Sequence, residues 1–231
     1  MAGNGRKPYI RYLFYKAELA WRRLPEAERE QGRAQFAAVV EERSPAIMVN
    51  SYNLTGTRGD ADFMLWQMAS SVEELEELAG ALRGTGLGKY LETPYSYLAM
   101  TRPSPYVAAH THGGQTPRGG EVQPRGDAYL FVYPFVKTNE WYQLPMESRQ
   151  GMMNEHFAIG HRFPSVKVHT TYSFGIDDQE FVLGFECENP EEFLRLVMEL
   201  RESQARPYTL KDTPIFACVR SSLKGCLESL G

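Results

Sequence analysis

The chain has 231 residues, 42% hydrophobic and 23% charged, with a net charge of −4. A chain of this kind can bury the core of one large domain or two small ones, and its slightly acidic balance offers no general affinity for nucleic acid or anionic membrane. No apolar stretch reaches the roughly 20 residues of a membrane helix, and the opening residues lack the apolar run of a secretion signal, so a cytoplasmic protein is expected.

In chain order, Tyr9–Lys16 reads as a strand and a helix follows Pro25, where a missing N–H costs little. Ile47–Leu54 and Asp62–Met68 read as two strands around the turn at residues 56–59, and Ser71 with Glu74 forms a capping box at the start of the next helix. Tyr95–Thr101 closes this first half. Residues 103–126, rich in Pro, Gly and polar side chains, read as a long connection, and such loops are often functional. The second half runs through a strand at Tyr129–Lys137, a helix from about Leu144 to Phe163, and strands at Val166–Phe174 and Glu180–Cys187. A helix from Pro190 to about Arg206, a strand at Pro214–Arg220 and a short last helix complete it. The cysteines Cys187, Cys218 and Cys226 are odd in number and lack metal-like spacing, so they read as reduced packing residues.

An internal repeat organises these elements. Ala69–Arg83 lies without gaps on Cys187–Arg201, and the Trp21, Leu24, Pro25, Arg29 pattern recurs as Trp141, Leu144, Pro145, Arg149. The reading is an α+β fold built from duplicated ferredoxin-like βαββαβ units, residues 1–102 and 127–231, whose sheets face each other in a dimeric α/β-barrel-like core.

Two segments carry candidate chemistry. On the strand Leu130–Lys137, alternation puts Phe131, Tyr133, Phe135 and Lys137 on one side, with Tyr133 and Lys137 roughly 13 Å apart. Taken alone, these read as a core tyrosine and a strand-end lysine reaching water. On the following helix, His156 has Met152, Met153, Ile159 and Gly160 at helical neighbour positions, an apolar stripe. Taken alone, such a histidine reads as a hydrogen-bonded core residue, although a haem iron is often held by one of this kind.

Taken together, Tyr133 to Lys137, Trp141 to Pro145, Met152 to His156 and Gly175 to Phe181 resemble the second half of chlorite-dismutase superfamily proteins, and the coproheme decarboxylases among them in particular. The resemblance covers most of residues 129–220 and, more weakly, residues 92–107. It implies the duplicated ferredoxin-like fold, assembled as a homopentamer, and iron coproporphyrin III (coproheme) as both substrate and redox cofactor. Hydrogen peroxide would drive decarboxylation of two propionates to give haem b. By the same resemblance His156 is the proximal iron ligand, Tyr133 the reactive tyrosine and Lys137 the substrate-contacting lysine.

The distal residue of the resemblance falls on Val168 or His169, depending on the end from which one counts, and Val168 is favoured because a gap fits better at the Phe163–Ser165 turn. Neither is the arginine of chlorite dismutases. His110 and His112, in the connecting loop, are further candidates for a distal base or are solvated loop residues. The position that would supply a carboxylate to the proximal histidine is Gln204, so a strong His–carboxylate pair is not expected. Arg201 and Arg206 either hold porphyrin carboxylates or are solvated near a helix end. Chlorite dismutation and a haem carrier or sensor without turnover are the alternative functions.

Overall fold

The structure, a computed structural model, describes residues 8–106 and 122–231. The candidate bases His110 and His112 lie outside the described residues. The elements are β1 (Tyr9–Ala17), α1 (Glu26–Arg43), β2 (Met48–Asn53), β3 (Phe63–Ala69), α2 (Val72–Arg83) and β4 (Leu91–Met100), followed by β5 (Tyr129–Lys137), α3 (Asn139–Gln143) and α4 (Met146–His161). Then come β6 (Lys167–Tyr172), β7 (Phe181–Cys187), α5 (Pro190–Arg201), β8 (Thr209–Lys211), β9 (Phe216–Arg220) and α6 (Leu223–Glu228). The fold is mixed α+β with extensive antiparallel sheet. Among the described residues no helix is long and apolar enough to cross a membrane.

The chain divides into two compact units, Met1–Met100 with Phe216–Gly231, and Thr101–Ile215. In the first, antiparallel pairing gives the strand order β4-β1-β3-β2-β9. In the second it gives β6-β7-β5-β8. β9 pairs with β2 at Tyr52↔Arg220 and Asn53↔Val219, and Cys226, Leu227 and Leu230 at the chain's end sit in the core of the first unit. Burial of that apolar helix face decides the location, and chain order carries no sign of it.

Local chemistry accounts for the helix ends. The Ser71 hydroxyl accepts from the Glu74 N–H at 3.2 Å while the Glu74 carboxylate accepts from the Ser70 N–H at 2.8 Å, a reciprocal cap. Asn189 Oδ1 accepts from the Glu191 N–H at 3.0 Å at the start of α5. That helix stops at Arg201, shorter than its periodicity suggests, and the Ser203 hydroxyl donates to the Leu200 carbonyl at 2.8 Å. The Thr85 hydroxyl does the same for Leu82 after α2, at 2.7 Å. The hairpin turns after β2 and β6 use glycines at positive φ, Gly56 at 89° and Gly175 at 72°, a region open to glycine at little cost. Trp21 packs 6.0 Å from Tyr90, and Trp141 packs 5.7 Å from Tyr208. The two tryptophans thus make similar aromatic contacts in the two units.

Candidate active site

The register of the second sheet sorts the candidate residues by face. Tyr133 lies opposite Leu183 and Phe131 opposite Phe185 on β5 and β7, while Val168 lies opposite Phe185 and Thr170 opposite Leu183 on β6 and β7. Directly paired residues point to the same side and neighbours along a strand to opposite sides. Phe131, Tyr133, Phe135, Lys137, Val168 and Thr170 therefore share one face. It is the helix-bearing face, because Phe131 stacks on Phe193 of α5 at 4.1 Å.

His169 points the other way, so the structure corrects its placement among the site residues. Its Nε2 lies 2.6 Å from Glu186 Oε2, and both side chains are buried. Glu186 also accepts the backbone N–H groups of Arg125 and Gly126 at 2.8 and 2.7 Å. Burial acts against the charged carboxyl, but His169 and the two amides prevail and hold it down at about 2. Val168 stands on the Tyr133 face with 47% of its surface exposed.

Tyr133 is 8% exposed, and its ring stacks on Phe185 at 5.6 Å. Burial, with the Asp212 carboxylate adding to it, pushes the phenol well above its ordinary range, against the opposing charges of Arg201 and Arg206. The hydroxyl is therefore protonated at any physiological pH. Lys137, at the strand's end, holds its ammonium 4.2 Å from the Trp141 ring centroid and 3.4 Å from the Ala205 carbonyl. Burial lowers its pKa to about 8, with Glu180 opposing and Arg206 reinforcing the shift. The Glu180 carboxylate fixes this corner by accepting the Lys137 backbone N–H at 2.7 Å and the Tyr142 hydroxyl at 2.6 Å.

His156 sits half-buried on α4. Burial first, and then the Lys137 charge, bring its pKa down to about 4, with Glu155 opposing. At neutral pH it is an uncharged imidazole with a free lone pair, the form that ligates a metal. Among the described residues no carboxylate hydrogen-bonds this ring. Glu155 instead accepts the Gln204 backbone N–H at 2.9 Å, tying α4 to the turn after α5.

Arg201 and Arg206 converge on Asp212, each reaching its Oδ2, Arg206 at 2.6 Å. They are ion-paired, so neither alternative in the sequence, carboxylate holder or solvated arginine, describes them fully. Asp212 follows the three-residue strand β8, and nothing in its local sequence singles it out. Nothing in the local sequence marks Trp141 and Glu180 as partners of Lys137 either. The site thus joins a sheet face bearing a buried phenol and an ammonium to a neutral imidazole on α4, within reach of the Lys137 charge, and to a guanidinium pair clamped by one acid, within reach of Tyr133. Such a set of groups could offer one imidazole to a metal and attract carboxylates.

A family model described as "Chlorite dismutase" matches residues 29–221. The chain belongs to the chlorite dismutase family. A curated member named coproheme decarboxylase, from Mycolicibacterium smegmatis, is 31% identical over 194 residues, covering 82% of this chain and 80% of that protein. Among solved structures, a mutant of chlorite dismutase from Candidatus Nitrospira defluvii superposes with a TM-score of 0.90 at 27% identity, covering 98% of this chain and 96% of that one. The same organism's enzyme in complex with imidazole gives 0.88 at 26%, with the same coverage. Within the family the fold is therefore common ground.

Proposed function

We propose that the protein is a hydrogen-peroxide-dependent coproheme decarboxylase, converting coproheme to haem b. The observation that carries this reading is the convergence of Tyr133, Lys137 and the Arg201–Asp212–Arg206 cluster on one apolar sheet face, with neutral His156 in reach of the Lys137 charge. The coproheme decarboxylase that is 31% identical supports it independently.

The residues present fit an iron porphyrin. His156 would hold the iron, because its burial keeps the imidazole neutral. Lys137, Arg201 and Arg206 would meet propionates, and Val168, on the Tyr133 face, would offer the porphyrin no charge. When bound, coproheme supplies, with peroxide, the oxidising power. Each turnover consumes one peroxide and one propionate, releases carbon dioxide and water, and leaves a vinyl group. The bond between the carboxylate and the propionate α-carbon breaks, the β-carbon attached to the ring loses a hydrogen, and peroxide takes up the two electrons and is reduced to water. Tyr133 would relay the oxidation to the propionate by giving up its hydroxyl hydrogen and taking one back. Lys137 would orient that propionate by charge. Placement dominates such a site, because an error of about 1 Å can cost about 100-fold in rate.

The same reading includes duplicated ferredoxin-like units forming a barrel-like core, a homopentamer, and a cytoplasmic location. Chlorite dismutation is disfavoured by Val168, an uncharged side chain where chlorite dismutases carry an arginine. Mixing the protein with coproheme and peroxide and following product mass tests the proposal. Haem b and released carbon dioxide are expected, together with no sustained oxygen evolution from chlorite. Unconverted coproheme would leave a carrier or sensor, and rapid oxygen release would favour the dismutase.

A further inference from the structure

The first unit contains a cleft of about 110 Å³ between the helix-bearing face of its sheet and α2. Its floor is apolar, with Leu13, Phe36 and Leu82 among the lining residues. Arg11, Arg83 and the hydroxyl-bearing Tyr15, Thr93 and Ser96 also line it, and no carboxylate does. A part-buried guanidinium, Arg11, and an exposed one, Arg83, therefore line one small cleft without an acid.

Their bonding leaves the charges uncompensated. Arg11 donates from Nε to Gln67 Oε1 and from Nη2 to the Leu75 carbonyl, each at 2.7 Å, and both acceptors are neutral. Arg83 has no ion pair among the described residues. An arginine cannot shed its proton to escape such a position. Burial lowers the Arg11 pKa, Tyr15 opposes, and the Arg83 charge lowers it further. Partial burial without an acidic partner disfavours the Arg11 charge, and the like charge of Arg83 adds to this.

The repeat sharpens the contrast. Arg83 ends α2 as Arg201 ends α5, and Arg201 is neutralised by Asp212. Carried on through the matched tyrosines Tyr90 and Tyr208, the repeat sets Pro94 where the second unit has Asp212. The first unit keeps the arginine and lacks its acid. It also sets Phe36 at the spacing from Trp21 that His156 has from Trp141, so this cleft has no iron ligand. Its volume is too small for a porphyrin, since a cavity of about 150 Å³ accommodates only benzene.

We propose that this cleft binds a small oxyanion, the carboxylate or phosphate group of a small metabolite, between the Arg11 and Arg83 guanidiniums. Both anions match the arginine fork, and the apolar floor suits a short aliphatic stem. The site is independent of the coproheme reading, because it lies in the other unit and uses none of the same residues.

The test is calorimetric titration of the full chain with sodium acetate and, separately, inorganic phosphate, at ionic strength held constant with chloride. It is run on the ligand-free and the coproheme-loaded protein. One saturable site per chain is expected in both forms, with acetate or phosphate preferred according to which group the cleft serves. Arg83→Gln should weaken binding at least about tenfold, and Arg206→Gln should leave it unchanged. Arg83 is exposed at the end of α2, so its substitution tests the site even where Arg11→Gln fails to fold. Absence of saturable binding by either anion, binding unaltered by Arg83→Gln, or binding abolished by Arg206→Gln or by loaded coproheme would each overturn the proposal.

Discussion

His169 is joined to Glu186 across β6 and β7 by a buried contact of 2.6 Å, and this pair faces away from Tyr133. It belongs to the scaffold, and its removal should be read in stability. Glu186→Ala strands His169 and the Arg125 and Gly126 amides, and is expected to cost roughly 3–5 kcal/mol. The sign with pH follows from the lowered Glu186 pKa. The stabilisation is complete above the carboxylate's ordinary value of 4.5 and is lost as pH falls through about 2. Chemical denaturation of wild type and variant from pH 7 to 2 should show the gap closing at the acid end. The iron spectrum of a His169→Gln protein loaded with coproheme should match wild type. A changed axial signature in that protein would return His169 to the site.

Tyr133→Phe should retain coproheme and lose decarboxylation. The phenylalanine keeps the ring stacked on Phe185 and removes only the hydroxyl. Stability should change by no more than about 1 kcal/mol. Product mass after peroxide addition decides it, and haem b at the wild-type rate would remove the tyrosine from the chemistry.

The contrast between Tyr133 and Asp212 explains what could be read before the fold was known. Tyr133 and Lys137 lie on one strand, so period-two alternation alone put them on a common face. Ser71, Glu74 and Asn189 mark helix starts by bonds to their own chain neighbours, and the repeat is visible wherever these local rules operate twice. Val168 and His169 could not be separated by counting from either end, because a one-residue gap reverses the face, and only the pairing of β6 with β7 decides it. Asp212 meets Arg201 and Arg206 through the return of the chain after α5, which no short-range pattern encodes. The same holds for β9, whose partner β2 stands far away in sequence.

Lys137 should make coproheme binding depend on pH. Its ammonium titrates at about 8 in the ligand-free protein. Affinity should therefore be highest below that value and fall as pH rises through it, with proton uptake on binding above it, because a bound carboxylate favours the charged lysine. Lys137→Met should weaken binding roughly 10–100-fold at pH 7 and flatten the pH profile between 7 and 9. The variant should be no less stable than wild type without ligand, since a cation held below its ordinary pKa opposes folding at pH 7. Calorimetry in buffers of different ionisation enthalpy measures the proton uptake. An unaltered profile in the variant would assign the pH dependence to another group.

His156→Ala separates a ligand from a core histidine. The imidazole stands on α4 with its pKa brought down to about 4, so it is neutral across the pH range in which the protein would work. Removing it leaves a cavity on the helix face, and the porphyrin can still be held by its carboxylates and its apolar surfaces. Coproheme should bind more weakly while losing the histidine-ligated ferric spectrum. Added imidazole should fill the cavity and restore that spectrum, an outcome that a purely structural histidine does not produce. In wild type the iron–histidine bond should persist on acidification to at least about pH 4, because iron competes with the proton for a ring that is already neutral above that value. A ferrous iron–histidine stretch that is unchanged in the resonance Raman spectrum of His156→Ala would exclude this residue as the ligand.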